Sequence, residues 1–205
     1  MKKLPLLLAS MLIFLVYSCI TIKAENITTD GKSIKTVNTK LQDSLAFELC
    51  KLYGSDQGLR DPYLYGGKID WAYVQKIDSI NFKKLVAFVK DNGFPTKKLL
   101  GEKNYSHECV EAAAVAVLLH TPHMLVNDKT YFNVFLNEVK KGNLKAEMYA
   151  TILDKYYWVK KDNNHRVLYG SQFGMPCKDM REETNSARAE IGLAPLADSL
   201  FVDCD

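Results

Sequence analysis

Ser106-His-Glu-Cys-Val-Glu-Ala-Ala-Ala-Val-Ala-Val-Leu-Leu-His120 is the stretch that decides the fold. Val110, Ala112 to Val117, Leu118 and Leu119 make it apolar almost all round, the mark of a buried helix. Its many alanines suit close packing, so it is expected to be the central helix of the domain. Ser106 fits the N-cap, and Glu108 and Glu111 suit the positive end of the helix dipole.

Working outward, the neighbouring segments repeat the helical period. Phe82, Leu85, Val86 and Val89 form the stripe of a helix over 80–90, stopped by Asn92-Gly93 and Pro95. A short helical piece is expected around Trp71–Ile77, after a loop at Asp61–Gly67. Leu41, Leu45, Ala46, Phe47 and Leu52 share one face of a first helix, from Leu41 to about Tyr53. Beyond His120, Pro122 suits a first helical position. A helix over 128–140 buries Phe132, Phe135, Leu136 and Val139 and ends at Gly142, and another follows over 144–155. Tyr156-Tyr-Trp-Val159 and Arg166-Val-Leu-Tyr169 are rich in strand formers, with a turn-like Lys160–His165 between them. They predict a small β-hairpin near 156–172. A last helix over 179–191 ends at Gly192. The expected fold is therefore mainly α (α+β): a compact domain of about six helices with one small β-hairpin, over residues 41–205. Residues 25–40, rich in Thr, Lys and Asn, read as a flexible leader.

The amino terminus gives an address. Lys2 and Lys3 precede the apolar run Leu4–Tyr17, which breaks at Ser18-Cys19, the pattern of a secretory signal. That run is short for a membrane-spanning helix. Two ends compete. Ala24 offers an ordinary cleavage site, making residues 1–24 the signal. Ser18-Cys19 offers a lipoprotein-type site, making it 1–18 with Cys19 lipidated. Either implies export to the periplasm or cell envelope, with a lipid at Cys19 as the one expected membrane contact. The whole chain has 27 Lys and Arg against 24 Asp and Glu, a formal charge of +3. Lys2, Lys3 and Lys23 account for all of that excess, so the domain is neutral. No concentrated basic surface is left for a nucleic-acid partner.

Cys50, Cys109, Cys177 and Cys204 follow Ala24. Four cysteines in an oxidising compartment permit two disulfides in three pairings. Cys177 and Cys204 lie in the less regular stretches, so their pairing is preferred. Cys50 and Cys109 lie on apolar faces, where buried thiols are ordinary. His107 and Cys109 are two apart on a helix and diverge, which argues against a thiol nucleophile.

Several polar residues could carry chemistry. Asp56-Gln57-Gly-Leu-Arg60 follows the first helix, and Arg60 could pair with a carboxylate of the protein or of a ligand. His120 can serve as acid or base, or cap its helix through the dipole. His120-Thr-Pro-His123 is not expected to hold a metal, because Pro122 breaks the helix that would align the rings. No cofactor motif is present: no phosphate-binding loop, dinucleotide fingerprint or serine elbow. Tyr169-Gly170-Ser171-Gln172 places Gln172 where it could meet a ligand amide. Arg188 on the last helix is five residues from Glu183, a poor helical pair, so Asp56 or Asp154 is its expected partner.

Taken in order, Asp56-Gln57-x-x-Arg60, Gly93-Phe94-Pro95 with Gly101, His120, Asp154-Lys155, Tyr169-Gly-Ser-Gln172 and Arg188-Ala-Glu-Ile-Gly-Leu-Ala-Pro-Leu196 resemble the bacterial domain-of-unknown-function family numbered 6624, over about 41–200. Lys155, Ser171 and Asn185 depart from the arginine, threonine and aspartate usual there, and Lys155 weakens a bidentate role. The resemblance implies that Asp56, Gln57, Arg60, His120, Asp154, Gln172 and Arg188 form a shared cluster, and it brings no activity with it. Two functions are expected from these residues. One is an envelope domain binding a small polar or peptide-like ligand. If it hydrolyses that ligand, His120 is the general base, Asp56 or Asp154 orients it, and Arg60 or Arg188 holds an anionic group. The other is a non-catalytic interaction module using Tyr63, Tyr65, Tyr156 and Tyr157, with the polar cluster as internal structure.

Overall fold

The computed structural model describes residues 31–63, 66–160, 162, 164 and 166–204, with side chains from residue 38 onward. The segment expected to be an export signal, Cys19 and Tyr65 lie outside the described residues. Ten helices occur among those described: α1 (Gly31–Gly58), α2 (Trp71–Asn92), α3 (Lys97–Leu100), α4 (Glu102–Tyr105), α5 (Glu108–Glu111), α6 (Ala113–His120), α7 (Pro122–Asn127), α8 (Lys129–Lys140), α9 (Ala146–Val159) and α10 (Arg181–Glu190). The fold is mainly α, and no strand or sheet occurs among the described residues.

Helix α6 packs against α1, α2 and α9. Ala113, Ala114, Val117 and Leu118 are buried, and their small side chains let three helices close around one short segment. The stretch 106–120 is nevertheless two helices, α5 and α6, meeting at Ala112. Ser106 does not cap them; its hydroxyl donates to the Lys103 carbonyl at the end of α4. Helix α1 begins at Gly31, ten residues before the predicted start, and it buries Leu45, Ala46, Leu49 and Leu52. The two helical pieces expected over 71–90 are one helix, α2, capped by the Asp70 carboxylate on the Ala72 and Tyr73 N–H groups. It ends at Gly93, whose φ of 89° is a conformation side chains resist.

The β-hairpin expected near 156–172 is absent. Tyr156–Val159 instead completes α9. Ile152, Leu153 and Tyr157 continue the 3.6-residue period set by Tyr149 and Ala150, and burial along that stripe overrides local strand preference. On the other side, the Leu168 and Tyr169 N–H groups both donate to the Asp154 carboxylate, at 2.8 and 2.7 Å. A side chain of α9 thus takes the hydrogen bonds that a partner strand would have taken.

Two disulfides close the structure. Cys50–Cys109 joins α1 to α5, one of the pairings that the sequence left open. Cys177–Cys204 fastens the C-terminal segment, beside a single parallel bridge between Cys177 and Val202. Two disulfides indicate an oxidising, extracytoplasmic environment. No described helix is long and apolar enough to cross a membrane.

Candidate functional site

The end of α1 carries the centre of the site. Asp56 falls on the same stripe as Leu45, Leu49 and Leu52 and is fully buried, 0 % exposed. A carboxylate there needs donors around it to offset the loss of water. It has three. His120 Nδ1 lies 3.0 and 2.9 Å from its two oxygens. Gln57 Nε2 donates to Oδ2 at 2.8 Å. Arg60 Nη1 reaches Oδ1 at 3.4 Å and donates to the Asp56 carbonyl at 2.7 Å. That last contact also closes the carboxyl end of α1, where carbonyls lack helical partners.

Arg60 Nη2 donates to Asp78 Oδ2 at 2.7 Å, so the guanidinium bridges α1 to α2. Asp78 is 6 % exposed, and its Oδ1 has no hydrogen-bond partner among the described residues. Sequence reasoning missed Asp78. The available signal was its spacing: four residues after Val74 and seven before Leu85, on the buried face of α2.

His120 ends α6 and is 29 % exposed in its side chain. The Asp56 carboxylate engages Nδ1, and no hydrogen bond to Nε2 occurs among the described residues. A cleft of about 680 Å³ opens at this ring. Arg60, Trp71, Val74, Gln75 and Asp78 line one wall, and Lys155, Tyr156 and Val159 of α9 line the cleft with Lys160, the residue after α9. Leu119, His120, Pro122 and His123 lie between them in sequence and line the same space. A recess of about 460 Å³ shares Gln75, Asp78, His120 and His123 with it. No group of three or more His, Cys, Asp or Glu side chains suited to a metal ion occurs among the described residues.

The remaining predicted residues gather elsewhere. Asp154 is fully buried and ties the 168–169 backbone, as described above. Burial pushes its carboxyl above the usual range, against the pull of the Tyr169 and Leu168 N–H groups. Arg188 does not pair with Asp56, and its hydrogen bonds go to the carbonyls of Tyr169 at 2.6 Å and Ala194 at 2.7 Å. Tyr169 is buried, which raises its phenol well above its usual value. Asn185 accepts the Leu196 N–H at 3.0 Å. Gln172 is exposed. The expected single cluster is therefore two: Asp56, Gln57, Arg60 and His120 at an open cleft, and Asp154, Tyr169 and Arg188 around a buried turn. Tyr63 is 94 % exposed, Trp71 60 %, while Tyr156 and Tyr157 are half-buried against each other.

No protein-family model, curated protein or solved structure matched the chain when it was compared with each.

Proposed function

We propose that the protein is exported to the cell envelope and binds a small polar or peptide-like ligand in the cleft beside His120, which acts on it as a general base. The observation that carries this reading is the pair His120–Asp56. A buried carboxylate fixes one ring nitrogen of a half-exposed imidazole, and the other ring nitrogen is left to a cleft large enough for a small molecule. In a hydrolytic step, Nε2 takes a proton from water as the water oxygen bonds to the carbonyl carbon. The proton then passes to the leaving group as its bond to that carbon breaks. Asp56 orients the ring and stabilises the imidazolium. Arg60 and Gln57 hold the Asp56 carboxylate in place, as positioning residues. Membership of the domain-of-unknown-function family 6624 is part of the proposal, since four of its ordered motif residues meet at this cleft.

The test is turnover of N-acyl amino acids and dipeptides, followed by mass spectrometry. His120→Gln should lower the rate at least about 100-fold while leaving the melting temperature within a few degrees. Unchanged turnover in that variant would sink the catalytic reading. Equal loss of folding in His120→Gln and Asp56→Asn would instead favour the non-catalytic module, with the network as structure. Intact mass of envelope-purified protein tests the address. A diacyl or triacyl mass at Cys19 means tethering, and a start at Glu25 means release into the periplasm.

A further inference from the structure

Arg60 was expected to hold an anionic group of the ligand, and its geometry argues otherwise. Nη1 is engaged by Asp56 and Nη2 by Asp78. Arg188 serves backbone carbonyls and lies outside the cleft lining. The cations that face the cleft without such commitments are Lys155 on α9 and Lys160 just beyond its end. Lys155, Tyr156 and Val159 are spaced i, i+1 and i+4 on one face of α9, Lys160 is the C-cap residue that follows it, and all four line the cleft. Lys155 is half-buried and has no carboxylate partner among the described residues. Its ammonium rests over the rings of Trp158 and Phe173, at 4.4 and 5.0 Å. Aromatic faces hold the cation in place and leave its charge uncancelled. Loss of water lowers the Lys155 pKa, as expected for a charge short of a counter-ion. Among the described residues Lys160 pairs with Asp162, at 3.8 Å on an exposed surface, a pair of little strength. Between these lysines and the Arg60–Asp78 wall the lining is largely apolar: Trp71, Val74, Leu119, Pro122 and Val159.

We infer that the ligand is a small amphipathic monoanion. Its apolar body lies on Trp71, Val74, Leu119 and Pro122, and its carboxylate or equivalent anion is received by Lys155 and Lys160. This deepens the functional reading above and rests on the same cleft, but it needs no chemistry at His120. The Asp78 carboxylate on the opposite wall disfavours a dianion, and the apolar lining disfavours a wholly polar ligand.

Two fluorescent probes of similar size test it on the exported domain: 1-anilinonaphthalene-8-sulfonate, an anion, and N-phenyl-1-naphthylamine, which is neutral. The anion should bind at least about tenfold more tightly, and decanoate should displace it. Lys155→Gln with Lys160→Gln should remove that preference and leave the neutral probe unchanged. Lys155→Arg, which keeps charge and ring stacking, should retain it. Lys83→Gln with Lys84→Gln, which removes the same charge from the exposed side of α2, should have no effect. Equal binding of both probes overturns the inference. So does loss of both probes together in the Lys155→Gln/Lys160→Gln variant, or displacement by phosphatidylglycerol vesicles but not by decanoate. His120→Gln separates the two proposals. Anion preference without any turnover in the wild type removes the catalytic reading alone, and turnover without anion preference removes this one alone.

Discussion

Two buried carboxylates illustrate how residue-scale surroundings set opposite behaviours. Burial pushes Glu138 up, but hydrogen bonds from Lys141, Asn143 and the Phe94 N–H outweigh it and leave the carboxyl below its usual range. Asp154 is held above that range, because burial outweighs its backbone donors. A depressed carboxyl contributes stability that is present above the unfolded value and lost as pH falls through the folded one. Glu138→Gln should therefore cost about 1–3 kcal/mol at neutral pH. Its deficit should close below about pH 4. A raised carboxyl has the reverse sign: its contribution is complete below the unfolded value and fades as pH rises through the folded one. Asp154→Asn keeps an acceptor for Leu168 and Tyr169 and removes the buried charge, so it should gain on the wild type as pH rises from about 4 to 7. Urea unfolding at both pH values reads the two trends. A falling Asp154→Asn advantage would mean that its donors, not burial, dominate. At this scale the sequence made the types legible and the neighbours illegible. Asp56 and His120 are 64 positions apart. Nothing local links them, whereas Asp56 itself could have been read as buried from the stripe Leu45, Leu49, Leu52.

At the scale of elements, periodicity was a good guide wherever a stripe was long. Helix α8 has its N-cap at Asp128 and ends before Gly142, as its pattern implies. Pro122 opens α7, again as expected. The pattern failed where local composition and tertiary packing disagreed. Tyr156–Val159 looks like strand by residue type, yet its period joins it to α9. The turn after it depends on a contact no window reveals, the Asp154 carboxylate on two backbone N–H groups. That turn is closed by Gly170 at φ 72°. A Cβ there would lie 2.9 Å from Leu196 Cδ1 and 3.2 Å from Pro176 Cδ. Gly170→Ala should cost about 1–2 kcal/mol for the left-handed backbone alone, with the collision adding to it. Thermal unfolding measures that loss, and an unchanged midpoint would show that the 168–171 turn can rearrange without cost. Because Asp154 belongs to α9 just before Lys155, loosening this turn should also weaken the anion preference of the cleft, while His120 keeps its place on α6.

The molecule as a whole is fastened by two disulfides that close loops of similar order, 59 and 27 residues of separation. Chain entropy alone would value both at about 4 kcal/mol. Their surroundings differ. Cys50–Cys109 links α1 and α5, which already pack together and flank the Leu45, Leu49 and Val110 core. Cys177–Cys204 holds the last described residues, among which Phe201 alone is buried after Ile191, and the backbone pairs through Lys178 N–H to Val202 and Val202 N–H to Pro176. Removing the first should lower global stability, because it joins elements that unfold with the core. Removing the second should free the C-terminal segment while the helices stay folded, since that segment contributes little to the core. Hydrogen exchange on the paired cysteine-to-serine variants separates these outcomes. In Cys177→Ser/Cys204→Ser, exchange should quicken over 192–204 and remain slow in α1, α2, α6 and α10. In Cys50→Ser/Cys109→Ser, it should quicken in all three helices together. Uniform quickening in both variants would mean that the C-terminal segment and the helical core form one cooperative unit. The cleft would then depend on the C-terminal disulfide as much as on the Asp56–His120 pair, because Asp56, Asp78 and His120 sit on the helices that would loosen.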